Sequence, residues 1–83
     1  MKIKDKEFRG WHAMNALNNN PNYWIYFSPD NTEAALVNTI NGEVIFVMDR
    51  ASGEQTYKSP SSQRHAQFFY ALREAKFKPR TVI

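Results

Sequence analysis

The sequence contains no cysteine, which excludes a disulfide bond, a thiolate nucleophile and a cysteine-based metal site. It also lacks any apolar run near the roughly 20 residues that a membrane-spanning helix needs. Its two histidines, His12 and His65, are not spaced as a metal-binding pair, and its three glycines are too scattered for a phosphate-binding loop. We therefore predict no metal site, no cofactor and no membrane segment.

Signatures of catalysis are missing as well. Ser59, Ser61 and Ser62 precede His65, but no G-x-S-x-G pattern surrounds them, and helix capping accounts for them better. A chain of 83 residues forms one domain, residues 1–83, with little room for a substrate cleft. We predict that the protein is not an enzyme and takes no small-molecule substrate. Its charged first residues do not resemble a signal peptide, so we expect it in the bacterial or host cytoplasm.

Lysine and arginine are absent from Gly10 to Asp49, a segment that contains four acidic residues. Residues 50–80 contain seven basic and two acidic residues, and residues 1–9 contain four basic and two acidic ones. The formal net charge of +3 is thus distributed as an acidic middle between two basic ends. Such a distribution favours a partner of complementary charge.

Residues 33–50 carry the strongest structural signal in the sequence, which is two β-branched apolar runs around the pair Asn41-Gly42. A two-residue type I′ turn needs positive φ at both central positions, which asparagine tolerates and glycine adopts freely. This turn predicts a hairpin in which Val37 faces Phe46. Both faces of the hairpin are apolar, so either helices cover both faces or one face meets a partner.

A first helix is predicted over residues 5–18, because apolar residues recur there at every third position. They are Phe8, Trp11, Met14 and Leu17. Gly10 weakens this helix, and the alternative is a strand from Met1 to Phe8 with a helix that begins at Gly10. Pro21 would end the helix in either case.

The strand and helix patterns that remain complete the predicted fold. Tyr23–Phe27 has the aromatic and β-branched composition of a strand, and Gln55–Lys58 can add a short edge strand. Ser59 and Pro60 suit the first positions of a helix, which we predict to end at about Phe77. The predicted fold class is α+β, an antiparallel meander of three to four strands flanked by an N-terminal and a C-terminal helix.

The predicted order of a helix, three antiparallel strands and a helix resembles that of double-stranded-RNA-binding domains. Their characteristic Gly-Pro-x-His turn and Lys-Lys pair are replaced here by Ser28–Asn31 and by the sequence of residues 59–64. The resemblance is therefore one of topology, and we assign no family membership on it.

Our first functional prediction is stoichiometric docking on another protein or on a second copy of the chain. The aromatic content and the second apolar sheet face exceed what a small core needs, and aromatic residues often anchor interfaces. Regulators and inhibitors of this size are often encoded by bacteria, their phages and mobile elements. The residues predicted for docking are Leu36, Asn38, Ile45, Val47, Tyr70 and Phe77.

The alternative is binding of DNA or RNA by the basic C-terminal helix, since cations interleaved with aromatic residues suit phosphate contact and base stacking. The residues predicted for it are Arg50, Lys58, Arg64, Arg73, Lys76, Lys78 and Arg80. A net charge of +3 is low for a dedicated nucleic-acid-binding protein, so this function ranks second. The sequence leaves open the identity of the partner and which sheet face is exposed.

Overall fold

A computed structural model describes residues 1–16, 20–60 and 62–65 of the protein. They form an antiparallel sheet of five strands, in which each strand lies beside its neighbours in the sequence. Short 3-10 helices, Lys6–Phe8 and Ser62–His65, precede and follow the sheet. The strands are β1 (His12–Ala16), β2 (Tyr23–Phe27), β3 (Glu33–Asn38), β4 (Glu43–Asp49) and β5 (Gln55–Lys58).

The predicted α+β class is wrong, because the described residues form a five-stranded sheet without a helix of seven residues or more. The 3-10 helix Lys6–Phe8 and β1 take the place of the helix predicted over residues 5–18. The alternative, a strand from Met1 to Phe8 and a helix from Gly10, is wrong too, because Lys6–Phe8 is a 3-10 helix and His12–Ala16 is a strand. The predicted C-terminal helix lies largely outside the described residues, and its described part, Ser62–His65, is a 3-10 helix.

Two strands lie where the sequence predicts them, since β2 and β5 have the expected bounds. Side chains of β2 alternate as a half-buried strand requires: Ile25 and Phe27 join one apolar cluster, and Tyr26 packs against another. The strand that the sequence analysis missed is β1. It pairs with β2 and contains one extra residue, Met14, which forms a β-bulge.

Strands β3 and β4 form the predicted hairpin, but in a different register. Leu36 faces Phe46 and Val37 faces Val44, which leaves Ile45 as an extra residue on β4. The predicted pairing of Val37 with Phe46 is therefore wrong. Because side chains alternate along a strand, this bulge moves Phe46 to the opposite face of the sheet from Val37.

The loop between β3 and β4 also contributes to the difference in register. It spans residues 39–42 rather than a two-residue turn, and Gly42 N donates a hydrogen bond to Asn38 O at 2.8 Å. Gly42 has a φ of +74°, as predicted for the glycine of this pair. Gly42 therefore has the positive φ predicted for it, but it lies in a four-residue loop rather than in a two-residue turn.

Both faces of the sheet are apolar, as predicted, and each carries a buried cluster. The first face is formed by Ile25, Phe27, Ala34, Leu36, Ile45, Phe46 and Met48. The second face is formed by Ala35, Val37, Val44 and Val47, together with Phe8 from outside the sheet. The two clusters share the strands β3 and β4, so the middle of the sheet is apolar on both sides.

The N-terminal segment, residues 1–11, crosses the second face. Ile3 N donates to Gly42 O at 2.8 Å beside the start of β4. Phe8 is buried in the second cluster, and the Trp11 ring meets its edge with ring centroids 5.0 Å apart. The chain then enters β1 at the edge of the sheet. Phe8 and Trp11, two of the residues that suggested a helix, therefore cover a face of the sheet.

Candidate functional site

The residues predicted for protein docking do not lie on one surface. Leu36 and Ile45 are completely buried in the first face, and Val47 is 4% exposed in the second. Asn38 is half-buried at the end of β3. Neither sheet face therefore presents these side chains to solvent. The other predicted docking residues, Tyr70 and Phe77, lie outside the described residues.

The residues predicted for nucleic-acid contact are only partly described. The Arg50 guanidinium lies 4.4 Å from the centre of the Phe27 ring and donates to Asn31 O at 2.9 Å, so it connects β4 to the β2–β3 loop. Lys58 and Arg64 are exposed. The others, Arg73, Lys76, Lys78 and Arg80, lie outside the described residues. Because most of these residues lie outside the described part of the chain, the basic surface stays a prediction.

An open groove of about 450 Å³ lies between the N-terminal segment and the β3–β4 loop, and we call it the hairpin groove. Ile3 and Ile40 line it from its two sides, and Tyr26 and Val37 line it from the sheet. Ile40 is 76% exposed, compared with 47% for Met14. A highly exposed apolar residue therefore lies beside a concave surface with an apolar lining.

Hydrogen bonds to asparagine side chains hold the loop that carries Ile40. Asn38 Oδ1 accepts from Ile40 N at 2.9 Å. Asn41 Oδ1 accepts from Glu43 N at 2.9 Å. These are Asx-type contacts, in which the side chain supplies a bond that the turn backbone lacks. Asn38 therefore contributes to the site by orienting Ile40.

Lysine side chains give the rim of the hairpin groove a positive charge. Lys2 and Lys4 both line the groove. Lys2 Nζ donates to Asn41 O at 3.1 Å, which draws the N-terminal segment towards the loop. Asp5 accepts a hydrogen bond from the backbone N–H of Lys2 at 2.9 Å. Residues 1–9 nevertheless carry a net charge of +2, so the rim attracts an acidic group.

The β2–β3 loop, at the other end of the sheet, contains Asp30, a carboxylate whose pKa is lowered by hydrogen bonds. Asp30 Oδ1 accepts from Thr32 Oγ1 at 2.8 Å, from Ser28 Oγ at 2.8 Å and from Thr32 N at 3.1 Å. The side-chain bond from Thr32 is the largest cause that lowers the pKa of Asp30, followed by that from Ser28. A lowered pKa keeps this carboxylate ionised, which suits a loop anchor rather than a proton donor.

The described residues contain no group of three or more histidine and acidic residues that could hold a metal ion. None of the described helices is long and apolar enough to cross a membrane. The hairpin groove is lined by lysine, asparagine, threonine, tyrosine and aliphatic side chains. It offers a concave shape, apolar contact and positive charge to a ligand.

The residues of the hairpin groove were not among the predicted sites. In the predicted hairpin, with its two-residue turn at Asn41-Gly42, Ile40 would be the last residue of a strand. A signal that could have indicated its exposure is its position directly before the Asn41-Gly42 pair, where a loop of four residues would remove it from the sheet. The contribution of Lys2, Ile3 and Lys4 had no local signal, since it depends on a contact between distant parts of the chain.

A scan of protein-family models and searches of curated proteins and of solved structures each found no significant match to this chain. The class of the protein is therefore set by the structure alone. The described part is a small antiparallel β-sheet domain with an apolar cluster on each face and an open, basic-rimmed groove at one end.

Proposed function

We propose that this is a non-catalytic binding protein whose hairpin groove takes a peptide segment of a partner protein. In that segment an apolar side chain lies next to acidic residues. The observation that carries the proposal is the exposure of Ile40, at 76%, beside a groove with an apolar lining. Binding of this kind acts stoichiometrically, as expected of a regulator or an inhibitor. A cytoplasmic location stays a prediction.

The shape and the charge of the hairpin groove both suit a peptide in which an apolar side chain lies next to carboxylates. The apolar lining, with Ile3 and Ile40 on its two sides, suits one large aliphatic or aromatic side chain. Lys2 and Lys4 at the rim suit carboxylates that flank this side chain. The loop and the N-terminal segment are joined by hydrogen bonds, so the groove is largely formed before a ligand arrives. A preformed site loses less conformational entropy on binding.

Nucleic-acid binding stays the second prediction. It depends mainly on basic residues outside the described part of the chain, and Lys58 and Arg64 are its exposed described members. The groove lysines could also contact phosphate. The experiment must therefore separate a carboxylate ligand from a nucleic acid.

The test is a fluorescence-anisotropy titration with four labelled probes at two salt concentrations. The first probe is a ten-residue peptide with a central leucine and phenylalanine flanked by aspartates. The second replaces its aspartates with lysines, the third replaces its apolar residues with serines, and the fourth is a 20-nucleotide duplex DNA. We expect the first peptide to bind at least about tenfold more tightly than the second and third, a difference of about 1.4 kcal/mol for each.

Matched variants locate the site. Ile40→Asp should weaken binding of the first peptide at least about tenfold, whereas Ala51→Asp, in an exposed loop at the opposite end of the sheet, should leave it unchanged. Lys4→Glu should weaken it and Lys58→Glu should not. Equal binding of the acidic and basic peptides, or insensitivity to Ile40→Asp, would refute the proposal. Preference for the duplex, lost in Lys58→Glu or Arg64→Glu, would favour the nucleic-acid alternative instead.

A further inference from the structure

The pair Asn41-Gly42 in the β3–β4 loop carries a chemical reactivity of its own. The side-chain amide of an asparagine can be attacked at Cγ by the backbone nitrogen of the next residue, which closes a succinimide ring. Asn41 is the only asparagine in the sequence that precedes a glycine, and glycine has no side chain to obstruct this ring closure. Asn41 is also exposed, so water reaches its amide.

Two hydrogen bonds of the loop are directed at oxygens that gain negative charge during this ring closure. Attack at Cγ moves charge onto Asn41 Oδ1, which accepts from Glu43 N at 2.9 Å. Loss of the proton from Gly42 N moves charge onto Asn41 O, in the same peptide unit, and this oxygen accepts from Lys2 Nζ at 3.1 Å. Donors placed where charge develops lower the barrier of a reaction, so the folded loop assists the attack.

A third hydrogen bond of the loop opposes the reaction. Gly42 N donates to Asn38 O at 2.8 Å, and this bond must open before the nitrogen can attack. Bonds in an exposed loop open at a low cost in free energy, so the barrier from this bond is small. Its opening frees the nitrogen and leaves the two assisting donors in place.

We propose that Asn41 is a site of spontaneous deamidation, in which Gly42 N attacks Asn41 Cγ and the assisting donors are Glu43 N and Lys2 Nζ. The bond between Gly42 N and Cγ forms, the bond between Cγ and Nδ2 breaks, and the proton of Gly42 N leaves with the amide as ammonia. Water then opens the succinimide. Cleavage of the new bond gives aspartate, and cleavage of the original peptide bond gives isoaspartate, in which the main chain runs through Cγ.

Both products alter the hairpin groove, and this consequence rests on the proposed function. Aspartate adds a negative charge beside Lys2 at the rim of the groove. Isoaspartate also lengthens the main chain by one carbon directly before Gly42, whose carbonyl oxygen holds Ile3 N at 2.8 Å. Affinity for an acidic peptide should fall in both forms, so deamidation is a slow and irreversible way to inactivate the groove.

The test is incubation of the full chain for several weeks in neutral buffer at physiological temperature, with peptide mapping by mass spectrometry at intervals. The peptide that contains Asn41 should gain the mass difference between an amide and an acid and separate into two products of equal mass. Asn22 and Asn31 are internal controls, because both are exposed but precede Tyr23 and Thr32, which have side chains. Asn41 should convert at least about tenfold faster than either control.

Matched lysine variants test the assistance from the N-terminal segment. Lys2→Met should slow the conversion of Asn41 about two- to fivefold, which is the effect of an exposed charge interaction. Lys2→Arg keeps a cationic donor and should restore the rate. Lys6→Met removes the same charge from an exposed residue outside the groove lining and should leave the rate unchanged. Conversion of Asn41 no faster than that of Asn22 and Asn31, or equal rates in the parent and Lys2→Met, would overturn the proposal.

The consequence for binding is measured separately, by fluorescence anisotropy with the acidic peptide. Asn41→Asp has the charge of one product in a main chain of normal length, and it should bind about two- to fivefold more weakly than the parent. Equal binding by the parent and Asn41→Asp would overturn inactivation by charge. If the parent itself does not bind the peptide, the proposed function fails, whereas deamidation is still decided by the mass measurement alone.

Discussion

Two glycines with positive φ differ in what surrounds them, and the difference predicts unequal costs of substitution. A Cβ on Gly10 would lie 3.1 Å from Pro29 Cγ, whereas a Cβ on Gly42 would have no heavy atom nearer than Ile3 Cγ2 at 4.0 Å. Both substitutions to alanine force a residue into the left-handed region, which costs about 1–2 kcal/mol. We expect Gly10→Ala to lower the free energy of unfolding by more than Gly42→Ala, because Pro29 must also move.

Urea denaturation of the two variants measures this difference. Gly42→Asn is a useful control, since asparagine tolerates positive φ and should recover part of the loss. Equal destabilisation by the two alanine substitutions would mean that the contact with Pro29 relaxes without cost.

Asp30 should make stability depend on pH at the acidic end. Its pKa is lowered from the ordinary value of 3.8, chiefly by the hydrogen bond from the Thr32 hydroxyl and then by that from Ser28. A carboxyl group with a lowered folded-state pKa stabilises the fold above the unfolded value, and this stabilisation is lost as pH falls through the folded-state pKa. The melting temperature of Asp30→Asn should therefore be below that of the parent at pH 7, and the gap should close below pH 3.8.

An NMR titration of the Asp30 side-chain carbon tests the cause of the shift. Thr32→Val removes the hydroxyl that contributes most and should raise the pKa of Asp30 towards its ordinary value. A melting-temperature gap that persists unchanged at low pH would show that Asp30→Asn acts through loop geometry and not through charge.

The attachment of the N-terminal segment to the sheet depends mainly on one buried side chain, that of Phe8. Phe8 is 6% exposed and lies in the second cluster with Val37 and Val44. Phe8→Ala should lower the free energy of unfolding by about 3–5 kcal/mol, which is a large part of the roughly 4–12 kcal/mol expected for a chain of this length. The NMR signal of the Trp11 indole N–H should also shift, because the Phe8 ring packs against Trp11.

Met14→Ala is the matched control for this prediction. Both residues belonged to the predicted helical stripe, but Met14 is 47% exposed and its replacement should change stability by less than about 0.5 kcal/mol. Phe8→Leu keeps most of the apolar volume and should be folded if Phe8→Ala is not. Similar effects of Phe8→Ala and Met14→Ala would contradict the assignment of Phe8 as the anchor.

Elements with local signals were predictable from the sequence, and those that depend on distant contacts were not. β2 and β5 were found from their composition and neighbouring turns, because these features act within a few residues. The recurrence of apolar residues at every third position from Phe8 to Met14 fitted a helix as well as it fits a segment that packs on a sheet. Only the contact of Phe8 with the sheet distinguishes these two structures. The register of β3 and β4 depends on the four-residue loop between them and on a bulge at Ile45, and the bulge has no sequence marker.

The hairpin groove could not be predicted for a related reason. It joins residues 2–4 to residues 39–42, and the hydrogen bond from Ile3 N to Gly42 O that brings them together uses backbone atoms only. Composition indicated that the N-terminal segment is basic, but not what it lies against. The predicted docking residues Ile45 and Val47 are buried, so a charged substitution there would unfold the sheet and could not report on docking.

The whole molecule should unfold in one step, because its two apolar clusters lie on opposite faces of the same strands. Leu36 and Val37 are neighbours on β3, the central strand, and face the first and second clusters respectively. Leu36→Ala should cost about 2–5 kcal/mol and Val37→Ala about 2 kcal/mol, from the apolar volume that each loses. Loss of either cluster exposes the strand that supports the other, so neither face can persist alone.

Hydrogen exchange of the amides in β3 and β4 measures this coupling. In both variants, the free energy of opening measured by exchange of the slowest amides should fall by the same amount as the free energy of unfolding measured in urea. The denaturant slope should stay unchanged. Probes on the two faces, Tyr23 for the first and Trp11 for the second, should report a single midpoint. Separate midpoints for the two probes would show that the faces form independent units, and that the N-terminal segment can leave the second face while the first stays folded.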